Sequence, residues 1–270
     1  NKERRIHMLN FCSLYSGSSG NSLFVESENT KILVDAGMSC KKIEEALNSI
    51  NEDVSSINAI LVTHEHSDHI KGLSTISKKY DIPVFSTKET FDAMPTQTEK
   101  LNEKNINYYK PDEKFSVGDL EILPFSIPHD AVNPCGFNII EQNNQISIAT
   151  DIGQMTKSVL NHLEGSQFIL LESNYDTEVL KFCAYPFSLK SRIAGCKGHL
   201  SNMMAGKTIS YLIKNSNLKT AMLGHLSKES NFPELAYQTV VNELIANNCN
   251  EDTVNLSVAS RECPSKLIKL

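Results

Sequence analysis

The feature that most constrains this chain is a hexapeptide, His-Glu-His-Ser-Asp-His at positions 64–69, directly after an apolar run at 59–63. The apolar run predicts a buried strand, and a loop that follows such a strand can aim several side chains at one point. Three imidazoles and a carboxylate crowded together there are costly unless a cation lies among them. The hexapeptide therefore predicts a metal site; the alternative is a network of hydrogen-bonded surface histidines.

Four more residues of metal-ligand type come after later predicted strands: His129, Asp151, His199 and His225. Because α/β proteins place their sites on loops at the ends of strands, we expect these side chains to meet the hexapeptide. The set offers nitrogen and oxygen donors and no sulfur. This favours divalent Zn²⁺ or Mn²⁺ over a softer metal and leaves the choice between the two open.

The composition is that of a globular protein: of 270 residues, 40% are hydrophobic and 21% are charged. No apolar stretch approaches the roughly 18 residues needed to cross a membrane, and the N-terminus lacks the apolar run of a secretory signal. Seven scattered cysteines without a CxxC pair indicate reduced thiols. We therefore expect a cytoplasmic protein with no membrane partner, in which residues 1–7 are a non-native addition before a natural start at Met8.

The predicted strands form two groups, each interspersed with helices, and no linker or repeat divides the chain. This pattern predicts an α/β fold in which two mixed sheets pack face to face with helices outside, within a single domain spanning residues 8–270. The strands are expected at 10–14, 23–26, 31–35, 59–63, 83–86, 114–128, 136–141, 145–150, 168–171, 220–223 and 253–258. The helices are expected at 41–50, 70–80, 155–164, from Ser201 or Asn202 onward, and at 234–247.

Basic residues are concentrated in one part of an otherwise acidic chain. The net charge is −6, yet residues 179–228 contain eight Lys or Arg and no Asp or Glu. A local positive surface beside a site suits the binding of phosphate groups. The alternative is a solvated face that happens to be basic.

Taken together, the HxHxDH pattern and the later lone His, Asp and His resemble the metallo-β-lactamase superfamily, and Asp35 in Leu33–Gly37 matches its first motif. The resemblance implies the four-layer αββα sandwich of that superfamily. Shorter motifs are similar to those of the YycJ (WalJ, VicX) family of Gram-positive bacteria, which is related to RNase Z and RNase J. These motifs are Ser16–Ser22, HEHSDHIKGL at 64–73, His129–Ala131, Glu172–Asn174, Tyr185-Pro186, Gly198–Asn202 and Gly224–Ser227.

The superfamily resemblance implies two metal ions. It assigns His64, His66 and His129 to one ion, and Asp68, His69 and His225 to the other, with Asp151 as a bridge. A hydroxide held between the two ions would be the nucleophile, and Asp68 would help to orient it. Asp35 is expected to accept an imidazole N–H and so fix the tautomer of a ligand; it can equally be a turn residue at the end of a strand.

His199 is surplus to this ligand set. By resemblance to the RNase Z branch, it would contact the scissile phosphate and protonate the leaving oxygen, with Glu172 as its orienting carboxylate. The alternative is that His199 is only the entry to a helix. Further substrate contacts are expected from the Ser16–Ser22 loop, from the basic residues before His199 and from the following helix N-terminus. The candidates are Asn21, Ser22, Lys190, Arg192, Lys197, Ser201 and Asn202. An ordinary hairpin turn is the alternative for the loop.

The resulting hypothesis is a cytoplasmic, two-metal phosphodiesterase acting on nucleic acid. By family resemblance, it is a 5′→3′ DNA exonuclease without the large inserted domain of RNase J. A ribonuclease, a small-molecule phosphodiesterase, or a thioesterase or lactonase on the same fold is the alternative enzyme. A non-catalytic alternative is a metal-stabilised interaction protein linked to a cell-wall two-component system. The sequence does not choose between DNA and RNA or indicate an oligomeric state.

Overall fold

The structure is a computed structural model, and it describes residues 9–270; the expected non-native segment 1–7 lies outside the described residues. Two seven-stranded sheets form its centre. The first has the spatial order β14 (Ile268–Lys269), β1 (Asn10–Tyr15), β2 (Ser22–Glu26), β3 (Lys31–Val34), β4 (Ala59–Leu61), β5 (Val84–Ser86), β6 (Ile106–Tyr108). The second has the order β13 (Asn255–Val258), β12 (Thr220–Gly224), β11 (Phe168–Glu172), β10 (Asn144–Ala149), β9 (Cys135–Glu141), β8 (Leu120–Ser126), β7 (Phe115–Val117).

The two sheets share one apolar interior. Phe11 and Ile32 of the first sheet are buried in the same cluster as Phe137, Ile148 and Phe168 of the second. The rings of Phe11 and Phe168 have centroids 4.5 Å apart. Burying side chains from both inner faces is the main favourable contribution to such a sandwich, since each buried Phe or Ile contributes about 1.5–3 kcal/mol.

Helices cover both outer faces. The first sheet is covered by α1 (Cys40–Ser49), α2 (Ser67–Ile70), α3 (Leu73–Tyr80) and α4 (Lys88–Ala93). The short α5 (Pro95–Thr98) buries no residue and lies against α3 and α4. The helices of the second half are α6 (Lys157–Leu163), α7 (Thr177–Phe182), α8 (Phe187–Ile193), α9 (Asn202–Asn215) and α10 (Pro233–Ala246). Of these, α6, α9 and α10 pack on the second sheet. The predicted four-layer sandwich is confirmed.

Local sequence explains why these helices form and where they begin. In α1, Ser39 caps the first turn, and Ile43, Ala46 and Leu47 form the buried stripe at helical spacing. In α9, Ser201 is the N-cap, and its hydroxyl accepts a hydrogen bond from the backbone N–H of Met204 at 3.3 Å. Among the helices of residues 9–270, none is both long and apolar enough to cross a membrane.

The structure corrects some predicted boundaries. The single predicted strand at 114–128 is a hairpin, β7 and β8, which turns at Gly118 with φ +57°. The predicted helix at 70–80 is interrupted at Gly72, where a Cβ atom would lie 2.2 Å from the Met38 carbonyl oxygen. This close approach is a tertiary contact that requires glycine. The sequence did not predict α4, α5, β6, α7, α8 or β14.

The strand directions bring the chemically interesting loops to one edge. Strands β3 to β6 are parallel to one another, as are β10 to β13. Because β8 and β10 each pair with β9 in antiparallel fashion, β8 ends at the same edge as β10. The carboxyl ends of these strands are therefore where a site is expected.

Candidate metal centre

Three residues of this edge adopt a left-handed backbone conformation within two residues of the ends of their strands. Asp35 follows β3 with φ 64°, Asp151 follows β10 with φ 60°, and His225 follows β12 with φ 54°. Such a conformation costs of the order of 1–3 kcal/mol for a residue that is not glycine and persists where the surroundings hold it. Backbone strain of this kind is typical of functional sites, because it orients side chains toward the site in directions that an unstrained backbone would not allow.

His64, His66 and His129 form the first cluster, in which one ring nitrogen of each lies within 4.8 Å of the others. His129 Nδ1 donates a hydrogen bond to the Gly198 carbonyl oxygen at 3.0 Å, so Nε2 is the nitrogen turned toward the cluster. Burial, followed by the neighbouring His69 and His129, holds the pKa of His64 well below its ordinary value. A neutral imidazole with a free lone pair is the form that binds a metal.

Asp68, His69 and His225 form the second cluster, whose ligand atoms also lie within 4.8 Å of one another. His69 Nδ1 donates to Asp35 Oδ2 at 2.7 Å, and its Nε2 lies 3.5 Å from Asp68 Oδ2. Burial alone would lower the pKa of His69, but Asp35 and Asp151 raise it well above its ordinary value. This concentration of carboxylate charge around buried rings is what a bound cation would neutralise.

Asp151 lies between the two clusters. Its Oδ1 is 3.7 Å from His129 Nε2, and its Oδ2 is 3.4 Å from His69 Nε2. Together with His64 and His69 it forms a further group of potential ligands. The two oxygens of Asp151 therefore each reach a different cluster.

Three buried atoms at this centre make no hydrogen bond in the described part of the chain: His64 Nε2, Asp151 Oδ2 and His225 Nε2. Leaving a buried polar atom without a partner costs about 1–3 kcal/mol. Divalent cations would satisfy all three atoms, and a set of imidazoles and carboxylates without sulfur suits Zn²⁺ or Mn²⁺. The residues present therefore fit divalent metal binding.

Glu172 lies behind this centre, at the end of β11, and is fully buried. Its Oε1 accepts hydrogen bonds from Nδ1 of His199 and from Nδ1 of His225, each at 2.8 Å. Its Oε2 accepts from the backbone N–H groups of Ile152 at 2.7 Å and Leu200 at 3.0 Å. Burial would raise the pKa of Glu172, but the two histidines hold it well below its ordinary value.

His199 belongs to neither of the two clusters, although it forms a further group of potential ligands with Asp151, Glu172 and His225. Because Nδ1 is bound to Glu172, Nε2 is the nitrogen left for other contacts, and the side chain is 19% exposed. The ring lines a cavity of about 160 Å³ together with Asn174, Tyr185, Arg192 and Ser227. We refer to this as the inner cavity; it adjoins the metal centre through Gly198 and Asn174, which also line it and are hydrogen-bonded to His129 and His225.

The structure gives several predicted substrate-binding residues other partners. Ser22 is buried and its hydroxyl donates to the Asp35 carbonyl oxygen at 3.1 Å. The Asn202 amide is buried against Ser173 and Asn231, with hydrogen bonds of 2.6–3.0 Å. Neither residue is among those that line the inner cavity, and their contact with a substrate stays a prediction.

Asn21 and Ser201 also have structural partners. Asn21 Nδ2 lies 3.1 Å from His69 Nε2 and 3.3 Å from Asp68 Oδ2, so it contacts the second cluster, and its contact with a substrate stays a prediction. Ser201 is buried as the cap of α9. The contact of Ser201 is the local capping of α9, whereas the contacts of Asn21 join residues 47 and 48 positions apart in the sequence.

The three basic candidates are dispersed. Arg192 lines the inner cavity, where its Nε donates to Asp130 Oδ2 at 2.5 Å. Lys197 is exposed in the loop before His199. Lys190 lies on another face of α8, outside the inner cavity.

Sequence reasoning missed two residues that hold the ligands. The Thr63 hydroxyl lies 2.9 Å from both Asp35 Oδ2 and His64 Nδ1. Asn174 Nδ2 donates to the His225 carbonyl oxygen at 2.7 Å. The only signal for Thr63 was its place immediately before the hexapeptide, and Asn174 shared a motif with Glu172.

Comparison with known proteins identifies the class of protein that this fold and site define. A profile of the beta-lactamase superfamily domain matches residues 30–226. The metallo-β-lactamase fold protein YhfI from Bacillus subtilis superimposes with a TM-score of 0.70 at 13% identity, covering 97% of this chain and 100% of that one, which shows the shared fold. The chain belongs to the beta-lactamase superfamily.

Two relatives narrow the assignment. The chain is 37% identical over 233 residues to "Exodeoxyribonuclease WalJ" of Streptococcus pneumoniae strain D39, covering 86% of each protein. It is 36% identical over 240 residues to "Exodeoxyribonuclease YycJ" of Bacillus anthracis, covering 86% of this chain and 88% of the relative. Within the superfamily, it is a member of the WalJ/YycJ family, and the family resemblance predicted from the motifs is confirmed.

Proposed function

We propose that this protein is a metal-dependent exonuclease that removes nucleotides from DNA in the 5′→3′ direction, with two divalent cations, Zn²⁺ or Mn²⁺. Membership of the WalJ/YycJ family makes the chain an enzyme, as the sequence predicted. The observation that carries the proposal is the pairing of His199 with Glu172 at 2.8 Å beside two clusters of metal ligands. A histidine held in this way, outside the ligand clusters, is placed to act on a substrate.

In this proposal, His64, His66 and His129 hold one cation, and Asp68, His69 and His225 hold the other, with Asp151 between them. When bound, the cations lower the pKa of water so that hydroxide is available at neutral pH, and they neutralise charge on a phosphoryl oxygen. Asp35 fixes His69, and Glu172 fixes His225, each by accepting the Nδ1 proton. These contacts direct the Nε2 lone pairs toward the cations.

The chain's own residues complete the reaction. Hydroxide adds to phosphorus, and the bond from phosphorus to the leaving oxygen breaks. His199, protonated and oriented by Glu172, donates its proton to that oxygen from Nε2, which faces the inner cavity. A positioned general acid contributes roughly 10²–10⁴ to the rate. Arg192, on the wall of the same cavity, provides positive charge for the phosphate.

We further propose that the protein acts in the cytoplasm. All seven cysteines are free thiols, and three of them are buried. Reduced, unpaired cysteines are typical of proteins in that compartment.

The test is a nuclease assay with Mn²⁺ on duplex DNA labelled at the 5′ end or internally, with Asp151→Asn alongside. We expect early release of labelled 5′ mononucleotide by the wild type and none by the variant, because Asp151 contacts both ligand clusters. Release from RNA but not DNA would change the proposed substrate. Turnover of a thioester substrate with no release from either nucleic acid would replace the proposal with a thioesterase.

A further inference from the structure

Helix α8 has two faces that line two different cavities. Leu189, Arg192 and Ile193 line the inner cavity beside His199. Phe187, Lys190, Ser191 and Ala194, spaced one and two helical turns apart, line a second cavity of about 370 Å³ between α7 and α8. We call this second space the outer cleft. The helix therefore lies between the inner cavity and the outer cleft.

The outer cleft has apolar walls and an exposed aromatic ring. Tyr175 and Leu180, both buried, form its floor, and Phe187 stands at its side with 84% of its surface exposed. A space of this size falls within the range of roughly 300–1,000 Å³ typical of small-molecule sites. Because a large exposed aromatic side chain is unfavourable in water, its place at a concave surface indicates a ligand with an apolar face.

Two lysines give the cleft positive charge, and one of them, Lys181, is paired with Glu178 at 2.6 Å. Lys181 and Lys190 lie at its rim. Within residues 9–270, only Lys181 and Arg192 of the eight basic residues in the acid-free segment 179–228 form ion pairs with a carboxylate. Lys190 Nζ donates to the Lys181 carbonyl oxygen at 2.7 Å, and its charge has no carboxylate partner within residues 9–270. A flat aromatic ring beside this charge suits a ligand that combines a planar apolar group with negative charge, and a nucleotide has both.

We propose that the outer cleft binds an unpaired nucleotide of the DNA strand whose end lies in the inner cavity, with its base stacked on Phe187 and its phosphate beside Lys190. This inference rests on the proposed nuclease function and adds to it a preference for single-stranded or frayed DNA. Duplex bases are stacked on one another, so they cannot offer a face to Phe187 unless the strands separate. The charge of Lys190, which has no carboxylate partner within residues 9–270, favours this occupant over the apolar face of a protein partner, which would gain nothing from that charge.

The test measures binding separately from cleavage. Fluorescence anisotropy follows a labelled single-stranded DNA of about 12 nucleotides, a length typical of such sites, in the full-length His199→Ala protein with Mn²⁺. Adding Phe187→Ala is expected to raise Kd by about 5- to 150-fold, the effect of losing one stacked base, and Phe187→Trp to restore it. Tyr108→Ala is the matched control, since Tyr108 is an aromatic residue 62% exposed on edge strand β6 of the other sheet.

A second ligand separates stacking from charge. An abasic strand of the same length retains the phosphates but has no bases, so Phe187→Ala is expected to leave its Kd unchanged. Because Phe187 is mostly exposed, the Tm of the protein is expected to be the same with Phe, Ala or Trp at position 187. Equal DNA affinity with and without Phe187 would overturn the inference and leave the cleft to a protein partner.

The two proposals fail in different ways. If the wild-type enzyme releases nucleotides from DNA but Phe187→Ala leaves DNA binding unchanged, this inference is wrong and the proposed exonuclease stands. If binding depends on Phe187 and on bases but no nucleotide is released from DNA or RNA, the outer cleft stands as a nucleotide site and the exonuclease is wrong.

Discussion

A single carboxylate, Glu172, orients two imidazoles that have different proposed tasks. One of its oxygens accepts from both His199 and His225, and the other is fixed by two backbone N–H groups. The carboxylate thus cannot rotate away from either ring. At the scale of single residues, this arrangement gives the two histidines different places. His225, a proposed metal ligand, has its Nε2 3.6 Å from Asp68 Oδ2, whereas His199, the proposed general acid, lines the inner cavity.

Replacing His199 with Ala is expected to reduce turnover by about 10²–10⁴, the contribution of a positioned general acid, and to leave metal content unchanged. The measurements are nuclease rate and bound metal per chain. His162→Ala is the control, because His162 pairs with Asp112 at 3.1 Å and lies outside both ligand clusters. Loss of metal from His199→Ala would show that His199 is a ligand instead.

Asp35→Asn is expected to weaken metal affinity by about 10- to 100-fold. The carboxylate accepts from His69 Nδ1 with one oxygen and from the Thr63 backbone N–H with the other, so an amide must turn an N–H toward one of these donors. Asn tolerates the left-handed backbone at this position, so the fold is expected to survive. Competition with a chelator measures the affinity, and an unchanged value would contradict the orienting role.

At the scale of elements, Glu44 joins α1 to α3. Its Oε1 accepts hydrogen bonds from Lys79 Nζ at 2.8 Å, Tyr80 OH at 2.9 Å and Cys40 Sγ at 3.0 Å. Lys79, then Cys40 and Tyr80, lower the pKa of Glu44 from 4.5 to about 2. These helices cover the outer face of the first sheet and flank the loop that carries the ligand hexapeptide.

Because the pKa of Glu44 is lower in the folded state, its stabilising contribution is present above pH 4.5 and is lost as the pH falls toward about 2. Glu44→Gln is therefore expected to destabilise the protein at pH 5 and to make little difference near pH 2. Urea unfolding at several pH values measures this. Glu45→Gln is the control, since Glu45 forms an exposed pair with Lys41 at 3.8 Å. If both variants lowered the free energy of unfolding equally at pH 5, the hydrogen bonds of Glu44 would not be what joins α1 to α3.

The elements also show how far sequence reasoning reaches. Apolar strands such as Phe168–Glu172 were predicted because their pattern is continuous and their burial complete. Helices α7 and α8 were missed because six or seven residues without a long apolar period give no local signal. The ligand residues were predicted from their spacing and family resemblance. The directions of Ser22 and Asn202 were not, because each depends on contacts with chain segments distant in sequence.

At the scale of the whole molecule, the acidic chain presents its basic segment beside the site. Lys197 lies two residues before His199, is exposed, and has no ion-pair partner within the part of the chain that the structure describes. Its charge is therefore available to a DNA backbone.

Lys197→Ala is expected to weaken DNA binding and to reduce the slope of log Kd against log salt by about 1, since one phosphate contact is lost. Binding titrations at several salt concentrations measure the slope. Lys104→Ala serves as control, because Lys104 pairs with Asp81 at 2.6 Å near strand β6. Identical slopes for wild type and Lys197→Ala would exclude Lys197 from the DNA path.

The candidate ligands extend from His64 to His225 along the chain and come from loops of both sheets. Only a polypeptide whose two halves have already packed together can present all of them at once. A cation that binds there would favour that assembled state over every partly folded one, by mass action. The supply of metal would then affect the lifetime of the protein as well as its activity, because metal-free protein would unfold more often and be degraded sooner.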